Sequence, residues 1–135
     1  MRVVFLSIVL SALALNFDAH ALTTGEVYKH CNKYAERSFE YSEPTDAVCI
    51  SYFAGIRDSG ASICKGWKIV LENTQSIERK IQIERFRSME GVGDIESYHP
   101  AIQHFVNRMQ NEPENWKYSG DFGVKESLQK IAPCE

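Results

Sequence analysis

The residues of this chain best suited to chemistry are its four cysteines: Cys31, Cys49, Cys64 and Cys134. Cysteines form disulfides, bind zinc or carry out thiol redox reactions. Zinc sites and redox-active pairs typically hold two cysteines in a C-x-x-C spacing, which the sequence lacks. His30, His99 and His104 also stand at no ligand-like spacing to a cysteine pair. We therefore expect two structural disulfides, no metal ion and no other cofactor.

Four cysteines can pair in three ways, and the sequence alone leaves the three open. We favour Cys31–Cys49 together with Cys64–Cys134. The first bond would join two consecutive helices across their turn, and the second would tie the C-terminal end to the middle of the chain. In the chain-entropy treatment the longer loop contributes more to stability, on the order of 4 kcal/mol.

The sequence places no nucleophile beside a base. His30 and Cys31 are adjacent, so on a helix their side chains would point about 100° apart. His99 precedes a proline at a predicted helix start and His104 lies opposite an apolar stripe, so we expect exposed or capping roles for both. The patterns G-x-S-x-G, H-E-x-x-H and the P-loop do not occur. The sequence predicts a binding protein and not an enzyme.

The first 21 residues predict export. Arg2 supplies a positive charge, residues 3–15 are almost wholly apolar, and Ala19 and Ala21 place small residues at the two positions that a signal peptidase reads. The apolar run is shorter than the roughly 20 residues of a membrane-spanning helix. We expect cleavage after Ala21, one domain over residues 22–135, periplasmic localisation and no membrane segment after cleavage. An uncleaved anchor or a buried N-terminal helix is the alternative.

The charge balance argues against a nucleic-acid partner. The chain has 15 basic and 18 acidic residues, and loss of Arg2 and Asp18 with the signal leaves the net charge at −3. The most basic stretch, residues 78–87, alternates in sign and resembles a solvated helix face more than a track for phosphates.

Apolar residues recur at helical spacing along the exported part, and no alternation of strand period appears. The sequence therefore predicts an all-α, disulfide-stapled bundle of about four to five helices. We expect a first helix over roughly residues 24–38, capped by Thr23 or Thr24, and a second over 44–59. Gly60 should end the second helix, with a turn over residues 59–62.

The second half of the chain is less regular. Residues 67–71 suit either a short strand or the start of a helix, and residues 91–94 should form a loop. Between them, residues 76–90 look helical. Its possible inward positions are Ile77, Ile81 and Phe86.

Two further helices should follow. Pro100 opens one with a clean apolar stripe, and the last spans roughly residues 116–131, where Gly120 and Gly123 weaken the first half. The stripe residues are Ile102, Phe105, Val106 and Met109.

Three segments in this order resemble the Rap/Tai immunity protein family. The segments are residues 25–31 with their single cysteine, residues 49–58 with the pattern Cys-x-x-Tyr-x-x-Gly, and the pair Pro113-Glu114 followed by a terminal Pro133-Cys134. Members are small exported proteins with which bacteria protect themselves against peptidoglycan amidase toxins delivered by type VI secretion. The family usually has a further cysteine where this chain reads Ser97-Tyr98-His99-Pro100, and Cys64 is the candidate replacement.

The resemblance implies that the protein docks on the catalytic cleft of a cognate peptidoglycan amidase toxin, often as a homodimer, and blocks substrate. Two predicted loops suit such docking. Residues 90–96 are acidic and glycine-bent, with Glu90, Asp94 and Glu96 as candidate contacts. The second runs from Arg57 to Trp67 and offers Asp58 and an aromatic anchor, Trp67. A plain surface connection for the first, and a core position for Trp67, are the alternatives.

Two other function classes remain open. A periplasmic acid-stress chaperone is compatible with the 18 acidic residues, since such proteins expose apolar surface when carboxylates are neutralised. An enzyme or small-molecule carrier is the third class, although no cofactor or catalytic motif supports it.

Overall fold

The computed structural model describes residues 21–134. The predicted signal, with Ala19, lies outside these residues, and Ala21 is exposed ahead of the first helix. Within this range the chain forms five α-helices and a short 3-10 helix, with no strands. The elements are α1 (Thr24–Glu36), α2 (Asp46–Asn73), α3 (Ile77–Glu90), α4 (His99–Asn111), the 3-10 helix Pro113–Lys117 and α5 (Gly120–Ile131). The all-α prediction is confirmed. No helix in this range is both long and apolar enough to cross a membrane.

The start of α1 is fixed by a capping box. The backbone N–H of Thr23 donates to Glu26 Oε2 at 2.7 Å, and the N–H of Glu26 donates to Thr23 Oγ1 at 3.3 Å. The N–H of Thr24 also bonds the carbonyl of Tyr118 at 2.8 Å, which fastens this end to the residues before α5. Thr23 is therefore the cap, as one of the two predicted candidates.

The core lies among α1, α4, α5 and the first half of α2. The predicted α4 stripe is confirmed, since all four of its side chains are buried. Phe105 packs edge-on against Phe53 of α2, with ring centroids 5.8 Å apart. Other fully buried side chains of the core are Val27, Val92, Val124 and Leu128.

The predicted end of the second helix is wrong, because α2 continues through Gly60 to Asn73. A Cβ at position 60 would lie 2.6 Å from Val92 Cγ2, so the glycine permits a close approach instead of ending the helix. The expected turn over residues 59–62 is helical, and residues 67–71 belong to the same helix. At 28 residues α2 is about 42 Å long.

The extent of α3 agrees with the prediction, but its inward positions do not. Ser76 caps the helix, and Ile77, Ile81 and Phe86 are 77%, 59% and 43% exposed. The reason is that α3 packs chiefly on the distal half of α2, so only a narrow face is covered. That face carries Ile83, half-buried, and Arg87, 4% exposed. We call residues 60–90, the distal half of α2 with α3, the arm.

The connection from α3 to α4 is a loop, as predicted, but its middle is held inside the molecule. Val92 is fully buried, and the N–H of Gly93 donates to the carbonyl of Ala132 at 2.8 Å. Neither Gly91 nor Gly93 has a positive φ, and the backbone of Gly91 is extended. The last helix begins later than predicted, because α5 starts at Gly120 and Trp116 lies in the 3-10 helix before it. Gly120 and Gly123 are nevertheless helical and buried.

Candidate functional site

The cysteines form the favoured disulfides, Cys31–Cys49 and Cys64–Cys134. The Cα atoms are 5.0 Å and 5.7 Å apart, within the usual range for a disulfide. The first bond joins α1 to α2 in the core, and the second joins the arm to the C-terminal end of the described chain. Disulfides of this kind are typical of an oxidising compartment.

Asp58 and Trp67 do not lie on a loop, and that prediction is wrong. Both are on α2, because the helix passes Gly60 without a break. Asp58 is exposed and pairs with Arg57, with a Nε–Oδ1 distance of 3.1 Å. Trp67 is half-buried and packs edge-on against Phe86, with ring centroids 5.3 Å apart. Trp67 is thus an aromatic side chain of the arm, neither a loop anchor nor a core residue.

The three acidic candidates of the predicted loop over residues 90–96 differ in their surroundings. Glu90 ends α3 and pairs with Lys125 at 2.9 Å. Asp94 is exposed and pairs with Lys65 of α2 at 3.1 Å, and Glu96 is exposed. Asp94 and Glu96, beside the base of the arm, are therefore more exposed to a partner than Glu90, which is half-buried.

The arm presents most of the exposed large apolar side chains of the described residues. Six of the ten lie there, and sequence reasoning did not identify this surface. They are Ile69, Val70, Ile77, Ile81, Phe86 and Met89. One feature of the sequence could have revealed these exposed side chains. The apolar residues of α3 do not form a single helical stripe, which indicates a helix with few packing neighbours. Exposed apolar side chains mark an interaction site where they form a contiguous patch, and on the arm Phe86 is in direct contact with Trp67.

A shallow groove of about 350 Å³ runs between the two helices of the arm. Trp67, Ile83 and Phe86 supply apolar walls, and Arg79 and Gln82 complete the lining. The arm is also the basic part of the chain. It carries six basic and four acidic residues, whereas the rest of residues 22–135 carries eight basic and thirteen acidic. The groove thus combines apolar side chains with a positive charge.

His99 and His104 each contact a residue other than a cysteine. The ring of His99 stacks on Phe39 at 4.5 Å between centroids, and His104 Nδ1 is 3.2 Å from Ser127 Oγ. His99 is the first residue of α4. No cluster of three or more histidine, cysteine or acidic side chains within residues 21–134 has the geometry of a metal site.

The chain between α1 and α2 is organised by Asp46. Its buried carboxylate accepts hydrogen bonds from the N–H groups of Ser42 and Glu43, at 3.0 and 2.9 Å, and pairs with Arg37. Burial would raise the pKa of Asp46, but these hydrogen bonds and the Arg37 charge outweigh it, so the pKa lies below its ordinary value. This polar cluster closes the turn that the Cys31–Cys49 disulfide also spans.

Comparison of the chain with protein-family models, with curated proteins and with solved structures finds no match.

Proposed function

We propose that this protein is an exported binding protein of the immunity class, which occludes a peptidoglycan amidase toxin in the periplasm. The observation that carries the proposal is the set of exposed apolar side chains on the arm. The Cys64–Cys134 disulfide ties the α2 part of the arm to the C-terminal end of the described chain. The choice of an amidase as partner rests on the sequence resemblance to the Rap/Tai family. The two disulfides support an oxidising compartment outside the cytoplasm.

The docking face we propose is the arm groove together with the adjacent Asp94–Glu96 segment. The Lys65–Asp94 ion pair links the two parts, so a partner that covers the arm base also reaches Asp94. Trp67 and Phe86 provide aromatic contact area, which commonly dominates binding energy. The net positive charge of the arm favours a partner whose docking surface is acidic and apolar.

The proposal is tested by binding and by protection. The oxidised exported form, residues 22–135, should bind a peptidoglycan amidase encoded beside its gene and abolish hydrolysis at equimolar concentration. Deletion of the gene should make cells sensitive to siblings that deliver that amidase. Continued resistance of the deletion strain, or full amidase activity in the presence of a folded excess of this protein, would contradict the proposal.

A periplasmic chaperone is the second candidate, because the same exposed apolar arm suits transient contact with unfolded chains. The two functions differ in stoichiometry and selectivity. A chaperone suppresses aggregation of several unrelated unfolded proteins, and an acid-stress chaperone does so chiefly near pH 4 or below. An immunity protein binds one folded partner at neutral pH. Light scattering of unfolded clients at both pH values separates the candidates.

Self-association is a further proposal that follows from the resemblance. Sedimentation equilibrium of the oxidised exported form measures it directly. A homodimer that persists at micromolar concentration would support the family-like mode of docking, and a monomer at all concentrations would reject it.

A further inference from the structure

The two disulfides differ in how far solvent reaches them. Cys31 and Cys49 are both fully buried in the core, whereas Cys64 and Cys134 are only half-buried. Thiol–disulfide exchange requires a thiolate to reach one of the two sulfurs. The difference in burial therefore predicts that an external thiolate reacts faster with Cys64–Cys134 than with Cys31–Cys49. The Cys31–Cys49 bond serves as an internal reference for that rate.

A groove of about 470 Å³ reaches this disulfide from the side of Cys64. Its lining includes Cys64 with Lys65 and Lys68 from α2, and it does not include Cys134. Asp94 also lines the groove and pairs with Lys65 at 3.1 Å, so the two ammonium groups outnumber the one carboxylate and favour an anionic nucleophile such as a thiolate. Access through this groove therefore favours attack on the sulfur of Cys64.

The other sulfur lies against buried groups of α3 and the loop that follows. Gly91 approaches so closely that a Cβ there would lie 2.8 Å from Cys134 Sγ. Arg87, 4% exposed, donates from Nε to Cys134 Sγ at 3.2 Å and pairs through Nη1 with Glu84 at 3.0 Å. Its Nη2 is buried and has no hydrogen-bond partner among the described residues. A buried guanidinium stabilises negative charge that develops on this sulfur.

We propose that Cys64–Cys134 is a directional exchange site, in which an external thiolate attacks Cys64 and Cys134 departs as a thiolate beside Arg87. The S–S bond breaks with its electron pair on Cys134 Sγ, and a new S–S bond joins the nucleophile to Cys64 Sγ. If the nucleophile belongs to a dithiol, its second thiol loses its proton and attacks the mixed disulfide. Cys64 is then released as a thiolate, and the dithiol is oxidised to a disulfide.

Opening this bond removes the one disulfide cross-link between the arm and the C-terminal end within the described residues. Hydrogen bonds remain, including those from Gln129 Nε2 to the carbonyls of Met89 and Gly91 at 2.8 and 3.1 Å. Reduction therefore loosens the base of the arm and leaves the core, with Cys31–Cys49, intact.

The direction of attack is tested with reduced glutathione on the folded, oxidised protein. After brief exposure the free thiols are alkylated and the peptides are mapped by mass spectrometry. The proposal expects glutathione on Cys64, the alkyl label on Cys134 and an intact Cys31–Cys49 bond. Glutathione mainly on Cys134, or opening of both disulfides at the same rate, would overturn it.

The part played by Arg87 is tested by reduction rates with dithiothreitol. Arg87→Gln should slow reduction about tenfold, Arg87→Lys should restore most of the rate, and Arg85→Gln, on the exposed side of the same helix, should change nothing. The rates in 6 M guanidinium chloride should be equal for all variants. An unchanged reduction rate in folded Arg87→Gln would show that Arg87 does not assist the departure of Cys134.

If Arg87→Gln fails to fold, the lysines provide an independent test. Lys65→Ala with Lys68→Ala should slow attack by the more negatively charged glutathione thiolate more than attack by the singly charged thiolate of dithiothreitol, and salt should reduce the difference. Equal effects on both reagents would reject steering through the groove.

Discussion

Gly60 of α2 and Val92 of the α3–α4 loop touch without room for a methyl group between them. A Cβ on Gly60 would lie 2.6 Å from Val92 Cγ2 and 3.0 Å from the Val92 backbone nitrogen. Both residues are buried, so neither can move toward solvent to relieve the contact. This contact fixes where the arm leaves the core, because Gly60 and Val92 border the two ends of the arm.

Gly60→Ala should destabilise the fold, although alanine is the better helix former. Overpacking in a buried contact costs about 1–3 kcal/mol, whereas the gain in helix propensity is about 1 kcal/mol or less. We expect a net loss of free energy of unfolding, measured by urea denaturation of the oxidised protein. Val92→Ala in the same chain should recover part of the loss.

The matched controls lie on the same helix. A Cβ at Gly55 or Gly66 would meet nothing within 4 Å, and both positions are exposed. Gly55→Ala and Gly66→Ala should therefore stabilise the protein by about 0.5–1 kcal/mol each. If Gly60→Ala behaves like these two variants, the contact with Val92 does not constrain the arm.

Local features of the sequence predicted much of this fold. The capping residues and the α4 stripe predicted α1 and α4, because each depends on neighbours within one helix. The cysteine positions favoured the observed disulfide pairing but left three pairings open. The end of α2 could not be predicted in this way. In the sequence, a glycine that ends a helix cannot be distinguished from a glycine that leaves room for a distant side chain. Gly60 is of the second kind, which is recognised only from the position of Val92 in the fold.

The candidate site was less predictable for a related reason. Trp67 and Phe86 lie on different helices and meet only because α3 folds back on α2. The helical pattern predicts Ile77 and Ile81 as possible inward positions, but the main neighbour of α3 is α2, and both side chains are exposed. Which apolar residues stay exposed thus depends on the number of packing partners, which helical spacing does not reveal.

Asp46→Asn should lower the melting temperature at neutral pH, because it removes an ion pair and weakens two backbone hydrogen bonds in a buried cluster. The folded pKa of Asp46 lies below its ordinary value of 3.8. The carboxylate therefore stabilises the fold above that value, and the contribution is lost as the pH falls through the folded pKa.

Melting curves from pH 7 to pH 2 check this dependence. The difference in melting temperature between the unsubstituted protein and Asp46→Asn should be constant at neutral pH and should shrink in acid. Asp58→Asn, at an exposed carboxylate whose side chain is 68% accessible, should leave the curve almost unchanged. A difference in melting temperature for Asp46→Asn that widens in acid would contradict the lowered pKa of Asp46.

Each disulfide should contribute separately to stability. The bonds span 18 and 70 residues, so the chain-entropy treatment gives about 3 kcal/mol for Cys31–Cys49 and about 4 kcal/mol for Cys64–Cys134. Paired alanine substitutions and urea denaturation measure both losses. Because Cys31 and Cys49 are fully buried, their removal should cost additional packing energy and bring the two losses close together. A loss below about 1 kcal/mol for either pair would contradict a stabilising role.

The proposed docking face can be separated from general surface hydrophobicity by a matched pair of phenylalanines. Phe86 on the arm is 43% exposed and packs against Trp67, and Phe122 on α5 is 41% exposed and packs against Tyr118. Phe86→Glu should weaken binding of the partner by at least 2 kcal/mol, about thirtyfold in Kd, because it places a negative charge on the apolar wall of a basic groove. Phe122→Glu should leave Kd unchanged.

Titration calorimetry with the cognate amidase measures both, and circular dichroism confirms that both variants remain helical. Equal losses would mean that the partner does not distinguish the arm from the rest of the surface, whereas loss with Phe122→Glu alone would place the docking face on α5.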